Sequence, residues 1–281
     1  MTPLKFAPLK KLFAVVAFAG TATFSASLLA DVDPALSDYE RASGVSGNLS
    51  SIGSDTLNNL MTLWAEAFNT YYPNVNVQIQ GAGSSTAPPA LTQGTAMLAP
   101  MSRGMRQSEI QEFEAQHGYR PTELPVAVDM LAVFVNRDNP IESLSLPQID
   151  AIFSATRRCG FAEDITRWGQ LGLGDAWANR DFALYSRNAV SGIGYRTSGV
   201  RALPIAASHG GQAFEPTPDN AATGDYPLAR YLFIYINKHP NRELDPLTRE
   251  FIKMVYSKQG QEIVDRDGFV TLPAAVADRY L

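Results

Sequence analysis

The sequence predicts an α/β fold with a largely parallel sheet, on three observations. Stretches with helical apolar spacing alternate with short β-branched stretches along most of the chain. Polar loops bearing Gly or Ser stand directly after the expected strands. The composition, 45% hydrophobic and 18% charged over 281 residues, is that of a globular chain with length for one large domain or two ordinary ones.

Residues 1–30 read as a secretory signal peptide. Lys5, Lys10 and Lys11 precede the apolar run from Leu12 to Ala19, and small residues follow to Ala30, where cleavage is expected. Gly20, Thr21, Thr23, Ser25 and Ser27 break that run well short of the roughly 20 residues of a membrane span. Cleavage removes three Lys and no acid, so 20 basic and 28 acidic residues remain, a net charge of −8. An acidic chain without a basic patch is not a general nucleic-acid binder. Residues 31–47 hold no sustained period and read as a polar leader.

The fold is expected to begin at Leu49. Leu57, Leu60, Met61, Trp64, Phe68 and Tyr71 fall at helical spacing, with Ser54 or Asp55 as N-cap and Pro73 as the stop. Val75, Val77 and Ile79 alternate with polar residues as a half-buried strand that runs into Gly81-Ala-Gly-Ser-Ser-Thr86, and Pro88 and Pro89 suit the first turn of the next helix. Met97 to Ala99 reads as a short strand before Pro100-Met-Ser-Arg103, and Ser108-Glu-Ile-Gln111 as a capping box. Val126 to Val135 reads as one long strand and Ser145 to Ser154 as a helix behind a Ser-x-x-Gln box. A loop-rich stretch holds Trp168 and Trp177, and Phe182 to Tyr185 reads as a strand leading into Ser186-Arg-Asn-Ala-Val-Ser-Gly192. Tyr231 to Asn237 is a further strand, and Pro246 to Asp265 a single amphipathic helix with Phe251, Ile252, Val255 and Tyr256 inward. The strands at 126–135 and 231–237 are candidates for paired connections between two lobes.

In an open α/β sheet, loops at the carboxyl ends of the strands gather where ligands bind. Four such loops, at 53–56, 81–85, 101–103 and 186–192, combine Gly, Ser and backbone N–H donors, a set suited to a small oxyanion. Arg187 adds planar, bidentate recognition of two anion oxygens. No Gly-x-x-x-x-Gly-Lys and no Gly-x-Ser-x-Gly occurs, and His117, His209 and His239 are scattered without metal-ligand spacing, so neither a nucleotide loop nor a hydrolase elbow nor a metal site is expected. Cys159 is the only cysteine, an unpaired thiol in a chain expected in an oxidising compartment.

At these loops the sequence resembles the substrate-binding proteins of phosphate-specific ABC transporters. The resemblance is carried by Ile52-Gly-Ser-Asp-Thr56, the helix through Trp64 to Tyr72, Val77 to Thr86, Ser102-Arg103, Leu131 to Val135, Ser186 to Gly192, and Ser257-Lys-Gln-Gly-Gln261 through Gly268-Phe-Val-Thr-Leu-Pro273. It implies a two-lobed periplasmic binding fold of the second type, with crossing strands between lobe 1 (48–128 and 236–281) and lobe 2 (129–235). It implies a monomeric, periplasmic, non-enzymatic protein without cofactor that captures inorganic phosphate and hands it to an inner-membrane permease. By motif, Asp55, Thr56, Ser84, Ser85 and Ser102 would bind from lobe 1, and Arg187, Ser191 and Gly192 from lobe 2. Alternatives on the same fold are another oxyanion (sulfate, molybdate or tungstate) or a secreted phosphatase-like or adhesive protein.

The chain departs from the family pattern after Gly192. There the family continues with a helix, a second Cys and a further strand before a Gly-Ile-Gly-Tyr segment, whereas Ser191-Gly192 here runs straight into Ile193-Gly-Tyr195. The expectation is a shortened second lobe, no disulfide partner for Cys159, exposed apolar surface and weakened phosphate affinity.

Overall fold

β1 (Gly47–Gly53), α1 (Asn58–Tyr71) and β2 (Val75–Gly81) open the structure, a computed structural model that describes residues 32–185 and 199–280. The two strands are parallel, in register from Gly47 opposite Val75 to Gly53 opposite Gly81. α1 buries Leu60, Met61, Trp64, Ala65 and Phe68, the face its spacing predicts. Its start differs from expectation, for the N-cap position is Leu57 and neither Ser54 nor Asp55 caps the helix. Asp55 instead opens a turn in which the Asn58 N–H donates to its carbonyl at 3.2 Å, and Ser54 stands before that turn.

α2 (Ala87–Thr92) carries Pro88 and Pro89 in its first turn, and β3 (Leu98–Met101) follows, parallel to β1. α3 (Gln107–His117) begins one residue before the expected Ser108, because the Glu109 carboxylate, not Gln111, accepts the Arg106 backbone N–H at 2.7 Å. The strand expected over 126–135 is two, β4 (Thr122–Met130) and β5 (Phe134–Asn136). Between them the hydrogen bonding changes partner: the Leu131 N–H donates to the Leu228 carbonyl, and the Val133 carbonyl accepts from the Leu203 N–H.

β6 (Leu144–Ser145) leads into α4 (Leu146–Phe153), whose Ser145 and Gln148 form the expected box. No strand forms at 182–185; only an isolated bridge joins Arg167 and Asp181, no strand among the described residues lies alongside, and Leu184 and Tyr185 are exposed. β7 (Val200–Ala202) pairs with β5, and β6, β8 (Ile205–Ala206) and β9 (Ala213–Phe214) make a small mixed sheet. After α5 (Pro218–Thr223) the chain returns as β10 (Ala229–Ile236), antiparallel to both β3 and β4. The main sheet thus runs β2-β1-β3-β10-β4 and is mixed rather than largely parallel.

The helix expected over 246–265 is also two, α6 (Pro246–Tyr256) and α7 (Lys258–Arg266), and the short α8 (Ala274–Ala277) ends the fold. Ser257 is extended and its hydroxyl accepts the Gly260 N–H, restarting the chain as a new helix. A Cβ at Gly260 would lie 2.1 Å from the Met254 carbonyl oxygen, so the corner needs glycine there.

Alternating side chains of the main sheet supply two cores. Leu232, Ile234 and Ile236 of β10 join the large cluster with α1, α6 and α7, while Phe233 and Tyr235 pack with Ala87 and Leu91 of α2, Phe113 of α3 and Met105 of the loop before α3. A third cluster, Val135, Ile141, Leu144, Leu203, Ile205 and Tyr226, belongs to the segment between β4 and β10. The polar leader proves to be a strap on the large core. Leu36 and Tyr39 are buried, the Tyr39 hydroxyl donates to Glu250 Oε2 at 2.9 Å, and the Ala274 N–H donates to Asp33 Oδ2 at 2.8 Å.

Candidate functional site

β1, β2 and β3 run parallel, so the loops after them leave from the same edge of the sheet. Backbone bonds tie these loops together where they begin: the Ala82 N–H donates to the Gly53 carbonyl at 2.9 Å, and the Ser54 N–H to the Pro100 carbonyl at 2.8 Å. Gly53 makes this closeness possible, since a Cβ there would lie 2.1 Å from the Pro100 oxygen. Gly83, at a φ of +93°, turns the second loop back toward the first, and a Cβ on it would stand 3.8 Å from Asp55 Oδ2.

Five of the sequence-predicted site residues fall in this region. Ser84 and Ser102 touch: their hydroxyls are 3.2 Å apart, and the Ser102 N–H donates to Ser84 Oγ at 3.1 Å. Asp55 is exposed beside Gly83, its carboxylate not spent on a helix cap, and Thr56 is half-buried next to it. Ser85 is exposed in the single 3₁₀ turn Ser84–Thr86 ahead of α2. Arg187, Ser191 and Gly192 lie outside the described residues. Hydroxyl donors and one carboxylate acceptor make a set suited to a partly protonated oxyanion.

The supports under these loops escaped the sequence reading. Arg103 lays a fork on Glu109, with Nη1 and Nη2 at 2.8 and 2.7 Å from its two carboxylate oxygens. That hydrogen bond, with a smaller part from the Arg106 N–H, holds the Glu109 carboxyl below the usual carboxylate range against the effect of burial. Tyr235 is buried on β10; its hydroxyl accepts the Met105 N–H at 2.9 Å and donates to Glu123. Burial, then the Glu123 bond, raises its phenol well above the ordinary value, so it stays protonated. The residues of each pair are six to 130 positions apart, and no periodicity marks them. Beneath the site the Ser54 hydroxyl is buried without a protein partner.

Other residues flagged by sequence are separate. Cys159 is exposed, its N–H bonded to Asp150 Oδ2 at 2.8 Å, and His117 Nε2 lies 3.0 Å from the Thr92 carbonyl. No group of His, Cys, Asp and Glu among the described residues could hold a metal ion. Two open hollows also lie away from the loops: one of about 170 Å³ between α2 and the start of α6, and one of about 360 Å³ beside α4, lined by Phe153, Ile165 and Leu184.

Three comparisons bear on this geometry. The profile of the PBP superfamily domain matches residues 40–198. The chain is 48% identical over 316 residues to the phosphate-binding protein PstS of Pseudomonas aeruginosa, covering 97% of this chain and 98% of that one. Among solved structures it is similar to a possible phosphate binding protein from Planctomyces limnophilus, with a TM-score of 0.67 at 23% identity, over 84% of this chain and 96% of that one. It is also similar to an ABC-type phosphate transport receptor from Vibrio cholerae, with a TM-score of 0.58 at 23% identity, over 80% of this chain and all of that one. These two likenesses concern the fold.

Proposed function

We infer the function from one premise: the chain belongs to the PBP superfamily, among phosphate-binding proteins that are periplasmic or extracellular and are not enzymes. It captures inorganic phosphate and delivers it to the permease of an ABC transporter. The observation that carries this reading is the meeting of Ser84 and Ser102 at 3.2 Å beside the Asp55 carboxylate, three loops converging on one anion-sized place. Serine hydroxyls and loop N–H groups favour the oxyanion, and Asp55 accepts a hydrogen bond from the P–OH of monohydrogen phosphate while repelling fully ionised sulfate. Thr56 and Ser85 add donors beside them. Arg187, Ser191 and Gly192 close on the anion from the lobe spanning 129–235, with Arg187 gripping two oxygens.

Residues 1–30 serve as the export signal, and among the described residues no helix is long and apolar enough to cross a membrane. The second lobe is shorter than in relatives. Its support is that the alignment to the P. aeruginosa protein runs over 316 residues, more than the 281 of this chain, so that relative has residues with no counterpart here. Exposed large apolar residues concentrate there too, namely Leu131, Phe134, Phe153, Leu184 and Tyr185. This shortening weakens phosphate binding.

Isothermal titration of the mature chain tests the reading. Phosphate is expected to bind in preference to sulfate, and Arg187→Ala to weaken it by about ten- to a hundredfold, the worth of a charge-assisted pair. Equal binding by both chains would remove Arg187 from the site, and preference for sulfate would remove phosphate as the ligand.

A further inference from the structure

The third site loop, 102–105, is held at three points. Ser102 bonds to Ser84, Arg103 to Glu109, and the Met105 N–H to the Tyr235 hydroxyl. The first two contacts stay among residues 84–109. The third does not, because Tyr235 lies on β10, opposite Glu123 of β4, and its hydroxyl donates to the Glu123 carboxylate. β4 and β10 are paired from Thr122–Ile236 to Met130–Ala229, and Met130 and Ala229 at the far end pack against the core of the intervening segment. One phenol therefore touches the loop bearing Ser102 and both strands that leave for that segment. The contact is close on the loop side as well, since a Cβ on Gly104 would stand 3.7 Å from the same hydroxyl. The Tyr235 ring is buried under α2 and α3 among Ala87, Leu91, Met101 and Phe113, so it has little room to swing away.

We propose that Tyr235 is a positioning residue for the phosphate site: its hydroxyl fixes the 102–105 loop to the paired strands β4 and β10, so that Ser102 is presented in one place and the loop moves with the strands. This rests on the reading of the loops as the phosphate site. The phenol does not touch the anion; it acts through the Met105 N–H, which is left without its partner when the hydroxyl is removed.

Tyr235→Phe removes one oxygen and keeps the ring. Tyr256→Phe is the matched control, for Tyr256 is fully buried and its hydroxyl donates to the Pro125 carbonyl of β4 at 2.8 Å, away from the loop. Two measurements separate the two ideas. In phosphate-free protein, amide hydrogen exchange over 102–105 is expected to quicken about tenfold in Tyr235→Phe and to stay unchanged in Tyr256→Phe. Phosphate titration well below the unfolding temperature is expected to show about tenfold weaker binding for Tyr235→Phe alone. Unchanged exchange in Tyr235→Phe, or equal losses of affinity in both variants, overturns the proposal. A chain that shows the exchange difference yet does not bind phosphate refutes the ligand and leaves the positioning role standing.

Discussion

Glu109 joins two structures that would otherwise be separate, the turn after β3 and the first turn of α3. It receives the Arg103 fork on both oxygens and the Arg106 N–H on one of them. Its carboxyl is depressed chiefly by the Arg103 hydrogen bond, so the stability it contributes is full above its unfolded value of about 4.3 and is lost as pH falls through the lower folded value. Glu109→Gln is expected to lower stability at pH 7 by about 1–2 kcal/mol, the loss of charge-assisted bonds at a helix start. Denaturant unfolding at pH 7 and near pH 3 checks this: the gap to the parent chain should narrow at the lower pH, and a constant gap would mean that the charge is irrelevant. Sequence reasoning placed the box at Ser108 to Gln111 because Ser is the commoner cap, and it missed a fork between residues on different elements. It brought the loops of Asp55, Ser84 and Ser102 together because residues directly after parallel strands share an edge whatever their neighbours are. It placed the cap at Ser54 or Asp55, where neither caps the helix, since a turn and a helix start use the same residue types.

Element boundaries show where local pattern yields to tertiary partners. The 126–135 run is apolar but for Asp129, which stands within β4, and nothing in it marks the point at which β4 gives up one sheet and β5 joins another; that is decided by Leu228 and Leu203. The apolar face of α6 likewise continues into α7, and only the extended Ser257 and the close approach at Gly260 reveal the corner. The leader was illegible for a related reason, as two apolar side chains in an aperiodic segment give no period. Leu36 and Tyr39 nevertheless fill the large core, and the Tyr39 hydroxyl and the Ala42 N–H meet the buried Glu250 carboxylate at 2.9 and 3.3 Å. Deleting residues 31–44 from the mature chain is therefore expected to cost about 3–6 kcal/mol, from two buried side chains at about 1.5–3 kcal/mol each. Thermal unfolding of the shortened chain measures it, and an unchanged Tm would show that the strap merely rests on the surface.

At the scale of the molecule, the two bodies of the fold differ in how much core each has. The main sheet is covered on both faces, by α1, α6 and α7 on one side and by α2 and α3 on the other. The body between β4 and β10 rests on Val135, Ile141, Leu144, Leu203, Ile205 and Tyr226, with strands of two or three residues, and it leaves Phe153 and Leu184 about half exposed. The α/β character and the pairing of the strands expected at 126–135 and 231–237, observed as Thr122–Met130 against Ala229–Ile236, were readable from the pattern, whereas this imbalance shows only once burial is known. Local opening is governed by buried apolar contact, so the smaller body should open at lower free energy than the main sheet. Amide exchange in phosphate-free protein is expected to be faster, by at least about tenfold, at β5 to β9 than at β1 to β3. Saturating phosphate should narrow that difference, because a ligand held by both bodies stabilises the state in which both are closed and ordered. Equal protection of the two bodies without phosphate would refute a thinly built second lobe. Protection that phosphate leaves unchanged at β5 to β9 would confine its contacts to the loops of the main sheet.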